Sequence, residues 1–497
     1  MGISKLGYRK YWTEPMPQSE IDWLEANGHI NTINQLLNFI DKYGKKIAIS
    51  SVQIQKTYHE LLQDVGKARN YLSKNGIKKG NLVGVQMDNE YLFIVIFLAI
   101  TTIGAIANVF PVQMPNQLVK NIYQKHKLKL LIYSKRLAET YTNFALNIIS
   151  ANDVTDIQPT LSVEVQANDL AALYFTGGTI GKPKAVMLTH KNLMRGMTNG
   201  AYGFSKILHL KYLTIIPFFH VFGLVRSMLT PLYTGSENYL CTDFNSFLPN
   251  LKITNPNLIC ITPAMLEMVC FFGQQDMNLI GNNLKTIVVG GANVPSNLLS
   301  QANTLGIYTC QGYGLTETAN LVSGNRFPKK NPNSVGEIFD FQEIKIVNRE
   351  LWISGENISP GYFQDTLSNI LSFEKKWFKT GDLVSYKNNQ LYIIGRLKNL
   401  IILKSGEKFS PEEIESKMNN FSLIKDSLVY LKNDQIILEV YPRDVKNIMS
   451  TQIRDYKIKM FFQKINNSLP TFMNVNELII RTHDFERSPA MKVLRIQ

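Results

Sequence analysis

The sequence predicts an α/β fold with mostly parallel, doubly wound sheets in a large N-terminal domain, an antiparallel β subdomain, and a small α+β domain at the C-terminal end. Short apolar runs of strand length alternate with helix-length segments over most of the chain, which is the pattern of a parallel sheet covered by helices. From residue 348 strand-length runs follow one another across short turns, which favours antiparallel pairing. The 497 residues exceed one compact core, so at least two domains are expected.

The individual elements follow from hydrophobic periodicity and cap signals. Apolar residues at helical spacing predict a helix ending at Ile40, and Thr57 with Glu60 forms a capping box for a second helix that ends near Asn75. Thr189 is a candidate cap for a third helix. Strands are expected at 47–51, 82–87, 170–175, 212–216, 238–241, 258–262, 285–289 and 307–310.

One segment admits two interpretations. Residues 92–110 contain 19 residues without a charge, which is long enough for a membrane-spanning helix. The alternative is a buried helix that runs into a buried strand. Because Thr101, Gly104 and Asn108 interrupt the apolar run, and Gly104 lies where a helix would end, we expect the buried arrangement.

Composition narrows the class of partner. The chain is 45% hydrophobic and 19% charged, with a formal net charge of +14, which could attract nucleic acid, a membrane surface or anionic ligands. The lysines are scattered and form no basic arm, so we expect anionic ligands and no nucleic acid, and peripheral contact with anionic lipid stays open. The four cysteines form no C-x-x-C pair, which predicts reduced thiols and no zinc site. The first 25 residues lack the apolar core of a signal peptide, so a cytoplasmic location is expected.

The most informative stretch is YFTGGTIGKPKAV, residues 174–186. An apolar strand leads into a glycine-rich turn, and glycines allow backbone N–H groups to approach an anion. Hydroxyl and ammonium groups flank these glycines and add donors and positive charge. The residues that would bind phosphate are Thr176, Gly177, Gly178, Thr179, Gly181, Lys182 and Lys184.

Spacing excludes two common phosphate loops. A Walker A loop needs Ser or Thr after its Gly-Lys, but Pro183 follows Lys182, and the dinucleotide fingerprint G-x-G-x-x-G is absent. The stretch instead resembles the signature of the acyl-adenylate-forming superfamily of AMP-binding enzymes. The motif has Gly177 in place of the usual Ser, and in this it resembles the motif of bacterial medium-chain and long-chain fatty-acyl-CoA synthetases. Ile180 and Ala185 depart from the pattern, and Ile180 removes one hydroxyl donor.

Further motifs extend the resemblance over residues 32–492. The family's Y-G-x-T-E pattern is matched from Tyr313 to Glu317. By this resemblance Tyr313 and Gly314 contact adenine, Thr316 donates to phosphate, and Glu317 holds magnesium, for which a carboxylate is a suitable ligand.

Other motif residues are assigned to the nucleotide or to the acyl group, again by resemblance. Gly291 and Ala292 would lie against a flat ring, Asp382 would accept hydrogen bonds from the ribose, and Arg396 would contact the nucleotide. The segment after the 212–216 strand would form the acyl pocket with His220, Val221 and Gly223. A lone histidine between aromatic residues is otherwise more often a packed core residue.

The C-terminal end supplies the remaining candidates. Lys398 and Asn399 resemble the family's hinge, which implies a large AMP-binding domain at 1–395, a hinge at 396–399 and a small mobile domain at 400–497. Asn399 stands where Asp or Lys is usual. Lys492 resembles the catalytic lysine, and Thr176, His220 and Glu317 complete the expected catalytic set.

The resemblance implies ATP-dependent, Mg²⁺-dependent activation of a carboxylic acid, expected to be a medium-chain or long-chain fatty acid, followed by transfer to coenzyme A. Transfer to an acyl carrier protein is an alternative acceptor. From a different class of protein, the departures at Ile180, Ala185 and Asn399 would fit a non-catalytic nucleotide-binding or acyl-binding homologue.

Overall fold

The structure is a computed structural model. It describes residues 18–141, 147–154, 156, 158–176, 183–201, 207–325, 329–444, 449–487 and 493–495. Strands and helices are numbered below in chain order.

The first sheet is mostly parallel. Its strands are β3 (Leu82–Gln86), β4 (Ile106–Val109), β5 (Leu130–Tyr133), β6 (Ile148–Ser150), β7 (Leu170–Thr176) and β8 (Lys184–Thr189). They are arranged in the order β6-β5-β3-β4-β7-β8. Neighbours run parallel except β7 and β8, which form an antiparallel hairpin. Strand β8 was not predicted, because its residues looked like a continuation of the glycine-rich loop.

The second sheet is larger and also has a parallel centre. Its strands are β1 (Ile47–Ser50), β2 (Gln55–Thr57), β9 (Lys211–Thr214), β10 (Glu237–Leu240), β11 (Leu258–Ile261), β12 (Thr286–Val289), β13 (Tyr308–Tyr313), β14 (Ser323–Asn325) and β15 (Glu337–Ile338). Their order is β15-β14-β13-β12-β11-β9-β10-β1-β2. Strands β2, β14 and β15 are antiparallel to their neighbours, and the other pairs are parallel. The carboxyl ends of β9, β11, β12 and β13 therefore lie along one edge.

Helices connect most of the parallel strands. The α-helices are α1 (Gln18–Asn27), α2 (Ile33–Ile40), α3 (Tyr58–Lys74), α4 (Tyr91–Thr102), α5 (Asn116–His126), α6 (Ala138–Tyr141), α7 (His190–Ala201), α8 (Thr230–Tyr233), α9 (Phe247–Thr254), α10 (Pro263–Gln275), α11 (Ser296–Thr304), α12 (Thr366–Ser372), α13 (Pro411–Asn419) and α14 (Thr451–Asn466). The predicted capping box of α3 is present, and Thr189 caps α7 by accepting from Asn192 N at 3.1 Å. Phe222–Leu229 is a π-helix.

The apolar segment at 92–110 is buried as expected. Helix α4 leads through Gly104, whose φ is +76°, into β4, and both elements are part of the main hydrophobic core. Across the described ranges, no helix combines the length and the apolar character needed to span a bilayer.

The remainder of the chain is antiparallel and then mixed. Strands β16 (Gln342–Val347), β17 (Glu350–Gly355), β18 (Phe373–Glu374), β19 (Trp377–Lys387) and β20 (Gln390–Arg396) form an antiparallel sheet. The residues after 400 form β21 (Ile401–Ile402), β22 (Lys408–Phe409), β23 (Ile424–Lys432), β24 (Gln435–Pro442) and β25 (Glu477–Ile480). This last part has its own hydrophobic core, which includes Ile414, Met418 and Leu438. The predicted α/β class and antiparallel subdomain are confirmed, and the domain boundaries at 395 and 400 stay predictions.

Candidate functional site

The β7–β8 hairpin carries the glycine-rich loop. Thr176 and Lys184 are register partners at the loop end of the hairpin, so a hydroxyl and an ammonium group flank the loop. Gly177, Gly178, Thr179 and Gly181 lie outside the described residues, as do Ile180 and Lys182. Their contact with phosphate stays a prediction.

The end of β13 carries the second motif. The φ angles of Ala319 and Asn320 are +46° and +102°, and this turn folds the chain back over Gly314. A Cβ added at Gly314 would lie 1.4 Å from the carbonyl oxygen of Asn320, which no side chain could tolerate. Thr316 and Glu317 follow in a 3-10 turn and not in the first turn of a helix. The Glu317 carboxylate is therefore not placed to stabilise the N-terminus of an α-helix, which is a common role of acidic residues.

Glu317 is a buried carboxylate whose nearest side-chain partner is neutral. It is 9% exposed, and its Oε1 accepts a hydrogen bond from the Tyr362 hydroxyl at 2.8 Å. Burial raises the pKa of Glu317, while the hydrogen bond from Tyr362 and the charges of Arg396 and Lys184 act in the opposite direction. The net direction shows that desolvation exceeds these compensating contacts.

Asp382 is the second buried carboxylate of this region. It is 2% exposed, and it accepts from the Tyr313 hydroxyl at 2.6 Å and from Arg396 Nε at 2.6 Å. Arg396 is its register partner on the adjacent strand β20. Both carboxylate oxygens of Asp382 therefore have protein partners, and its contact with the ribose hydroxyls stays a prediction.

These contacts join residues that are far apart in the sequence. The Lys184 ammonium lies 4.8 Å from the centre of the Tyr362 ring, and the Tyr362 hydroxyl donates a hydrogen bond to Glu317. Arg396 forms an ion pair with Asp382, and its charge also acts to lower the pKa of Glu317 against the effect of burial. A continuous set of charged and aromatic groups therefore links the β7–β8 hairpin, the end of β13 and the β19–β20 pair. Cationic and aromatic groups in one place can bind an anionic, aromatic ligand such as a nucleotide.

The segment after β9 supplies the region assigned to the acyl group. Tyr174 donates to the carbonyl of Phe218 at 2.9 Å, and Asn89 Oδ1 accepts from Phe218 N at 2.8 Å, so residues of the first sheet fix this turn of the second. His220 is half-buried, with its ring 4.7 Å from that of Phe219.

Val221 and Gly223, two further residues of the predicted acyl pocket, are buried in the core. Val221 is 8% exposed, and a Cβ at Gly223 would lie 2.2 Å from the Pro217 carbonyl oxygen. Their observed contacts are packing contacts. The ring between them in sequence, Phe222, lies against the end of β12, because a Cβ at Gly290 would be 3.4 Å from it. The next residues, Gly291 and Ala292, are exposed at this edge, and Gly291 has φ +84°.

The predicted hinge is connected to the C-terminal residues through a hydrogen bond and an ion pair of Glu412. Lys398 and Asn399 belong to a 3-10 turn after β20, and Asn399 Nδ2 donates to Glu412 at 2.5 Å. Glu412 also contacts Arg495 at 3.4 Å. Lys492 lies outside the described residues, so its role stays a prediction.

The donor set fits Mg²⁺ held jointly with a polyphosphate. Glu317 is a hard oxygen ligand with spare lone pairs, and because it is buried, a cation would stabilise its ionised form. Within the ranges described, no three His, Cys, Asp or Glu side chains cluster as a metal cage. Mg²⁺ is typically bound by one or two carboxylates together with substrate phosphates, so a single carboxylate is sufficient.

The comparisons with known proteins agree with this geometry. The family model described as AMP-binding enzyme matches residues 37–363, and the chain therefore belongs to that family. The chain is 26% identical to the 2-succinylbenzoate--CoA ligase of Geobacillus sp. (strain WCH70), over 84% of this chain and 88% of the relative. It is 25% identical to the 4-coumarate--CoA ligase of Vanilla planifolia, over 85% and 84%.

A solved structure supports the fold. The O-succinylbenzoate coenzyme A synthetase of Bacillus subtilis, in complex with ATP and magnesium ion, superposes with a TM-score of 0.78 at 20% identity, over 93% of this chain and 98% of that one. The predicted enzyme class, an AMP-forming acid–thiol ligase, is confirmed by the matches. The finer likeness to fatty-acyl-CoA synthetases is not supported, because these relatives are named for aromatic acids.

Sequence reasoning missed Tyr362. It follows Pro360 and Gly361 in the segment SPGYF, which reads as an ordinary turn before a helix. Its partner Glu317 is 45 positions away, and no local pattern links the two.

Proposed function

We propose that the chain activates an aromatic carboxylic acid with ATP and Mg²⁺, and then transfers the acyl group to coenzyme A. The observation that carries this proposal is the connected set Lys184, Tyr362, Glu317, Arg396 and Asp382. It offers cations for phosphates, a carboxylate for a metal and a carboxylate for ribose in one place. The names of the relatives support coenzyme A as the acceptor.

In the first step an oxygen of the substrate carboxylate forms a bond to the α-phosphorus, and the bond from that phosphorus to the bridging oxygen breaks. Pyrophosphate leaves with the electron pair. Thr176 and Lys184 would hold the outer phosphates, and Asp382 would hold the ribose, so catalysis is mainly positioning and charge stabilisation. Magnesium bound at Glu317 would neutralise charge on the departing phosphates. In the second step the thiol sulfur bonds to the acyl carbon, AMP leaves, and the thiol proton is released.

For the acid we propose an aryl carboxylate. The turn after β9 is rich in aromatic rings, and Phe222 lies against Gly290 at the edge where the acyl group would enter. A medium-chain or long-chain fatty acid is the alternative that Gly177 suggested.

The deciding experiment is ATP–pyrophosphate exchange with benzoate derivatives, hydroxycinnamates and saturated acids of increasing length. Exchange with aryl acids alone supports the proposal. Exchange only with fatty acids would reassign the substrate. No measurable exchange with any acid, while ATP still binds, would indicate a non-catalytic homologue.

The acceptor and the role of Lys492 are tested by separating the two steps. We expect Lys492→Ala to reduce pyrophosphate exchange by about 100-fold or more, because it removes a charge that contacts the transition state. The same variant should still convert a supplied acyl-adenylate to the coenzyme A thioester if the C-terminal part rotates between steps. Loss of both steps would contradict the rotation. Transfer to a carrier protein but not to coenzyme A would replace the proposed acceptor.

A further inference from the structure

The segment around Tyr362 is fixed to both sides of the site. Phe363 N donates to the Ala185 carbonyl at 2.8 Å, Met187 N donates to the Gly361 carbonyl at 2.9 Å, and Tyr362 forms a β-bridge with Val186 of strand β8. The same segment reaches Glu317 through its backbone, because Ser359 N donates to the Glu317 carbonyl at 2.8 Å. The segment therefore joins the phosphate hairpin to the carboxylate turn.

The Tyr362 side chain lies between the two charges. Its hydroxyl donates to Glu317 Oε1 at 2.8 Å, and one face of its ring lies 4.8 Å from the Lys184 ammonium. An aromatic face attracts a cation, and a hydroxyl donor stabilises an ionised carboxylate. Tyr362 thus contacts both groups, the carboxylate through its hydroxyl and the ammonium through its ring.

Helix α12 fixes Tyr362 from the other side. Asn369 Oδ1 accepts from Tyr362 N at 2.6 Å, and Asn369 Nδ2 donates to the Tyr362 carbonyl at 2.9 Å. Ser372 also hydrogen-bonds the Tyr362 side chain. Gly361 has φ +140°, and a Cβ there would lie 2.6 Å from Asn369 Oδ1, so glycine is required for this clamp. Tyr362 itself is 5% exposed, which leaves it little freedom to rotate.

We propose that Tyr362 is a positioning residue that orients the Glu317 carboxylate toward the metal and the Lys184 ammonium toward the phosphates, and that Asn369 holds Tyr362 in place. This inference rests on the proposed function. Packing alone would be satisfied by phenylalanine, whereas the hydroxyl serves Glu317. Replacing Tyr362 by phenylalanine removes one oxygen atom and therefore separates the positioning role from the packing role.

The test is Tyr362→Phe in the full-length chain, with calorimetric titration of ATP at a series of Mg²⁺ concentrations. We expect the Mg²⁺ concentration for half-maximal ATP binding to rise roughly 10- to 100-fold, as for a lost hydrogen bond to a charged group. ATP binding without Mg²⁺ should change little, because the ring and its contact with Lys184 remain. The matched control is Tyr430→Phe, which removes another tyrosine–glutamate hydrogen bond, to Glu439 at 2.7 Å, in the C-terminal part.

The outcomes separate the two proposals. Equal Mg²⁺ dependence in wild type and Tyr362→Phe overturns the positioning role and leaves the proposed function intact. A wild type without Mg²⁺-dependent ATP binding overturns both. Should Tyr362→Phe fail to fold, Asn369→Ala provides the same test, with a shift in the same direction expected, and an unchanged Mg²⁺ dependence there would also overturn the inference.

Discussion

Two buried glutamates, one in each part of the molecule, show how the same burial can serve different ends. Burial raises the pKa of both Glu317 and Glu415, the latter to about 7. Glu317 meets a phenol at 2.8 Å and no cation at salt-bridge distance within the described ranges. Glu415 is bonded directly to Arg495 at 2.5 Å and to the N–H of Val429 at 2.7 Å. A carboxylate that is hydrogen-bonded only to a neutral donor still has an uncompensated negative charge, which can bind a cation. A carboxylate whose charge is already paired with arginine has a structural role.

The largest expected effect comes from removing the charge of Glu317. Glu317→Gln keeps the size and the acceptor for Tyr362 but removes the metal ligand, so pyrophosphate exchange should fall by about 100-fold or more. Thermal unfolding should show little loss of stability, because a neutral amide costs less to bury than an ionised carboxylate and can still accept the hydrogen bond from Tyr362. Exchange within a few-fold of wild type would place the metal elsewhere and remove the contrast between the two glutamates.

A second prediction concerns the partner of Glu415. Arg495→Met leaves a buried carboxylate without its direct cation, which should lower the free energy of unfolding by about 3 kcal/mol at pH 8. Urea unfolding of the full-length chain measures this. The matched control is Lys404→Met, whose ion pair with Asp434 is largely exposed and should contribute less than about 1 kcal/mol. Equal losses in both variants would contradict a structural role for the buried pair.

The contrast also shows what the sequence can predict. Local signals predicted the capping box of Thr57 with Glu60 and the cap of α7 at Thr189, because the residues involved are neighbours in the chain. The roles of Glu317 and Asp382 came only from resemblance, since nothing in their local patterns distinguishes a ligand from a cap.

The contacts that decide these roles are long-range. The Tyr362–Glu317 bond spans 45 positions and the Arg495–Glu415 bond spans 80. Strand β8 was missed for a different reason: its partners on β7 are near in the sequence, but its residues looked like a continuation of the glycine-rich loop. The π-helix at Phe222–Leu229 likewise has no local marker that we can identify.

The smallest effect on activity is expected for Glu415→Gln. The folded pKa of Glu415, about 7, lies above its ordinary value of 4.5, so the folded state binds this proton more tightly than the unfolded state. The wild-type free energy of unfolding should therefore decrease as pH rises from about 4.5 to about 7, by up to about 3 kcal/mol. Glutamine cannot titrate, so this part of the pH dependence should be absent in the variant, as measured by urea unfolding at pH 5 and pH 8. Pyrophosphate exchange should remain within twofold of wild type, because Glu415 contacts neither nucleotide nor metal in the proposed mechanism. A several-fold loss of exchange with unchanged stability would show that the Arg495 contact acts on the tail that carries Lys492, and the division between a functional and a structural glutamate would then be wrong.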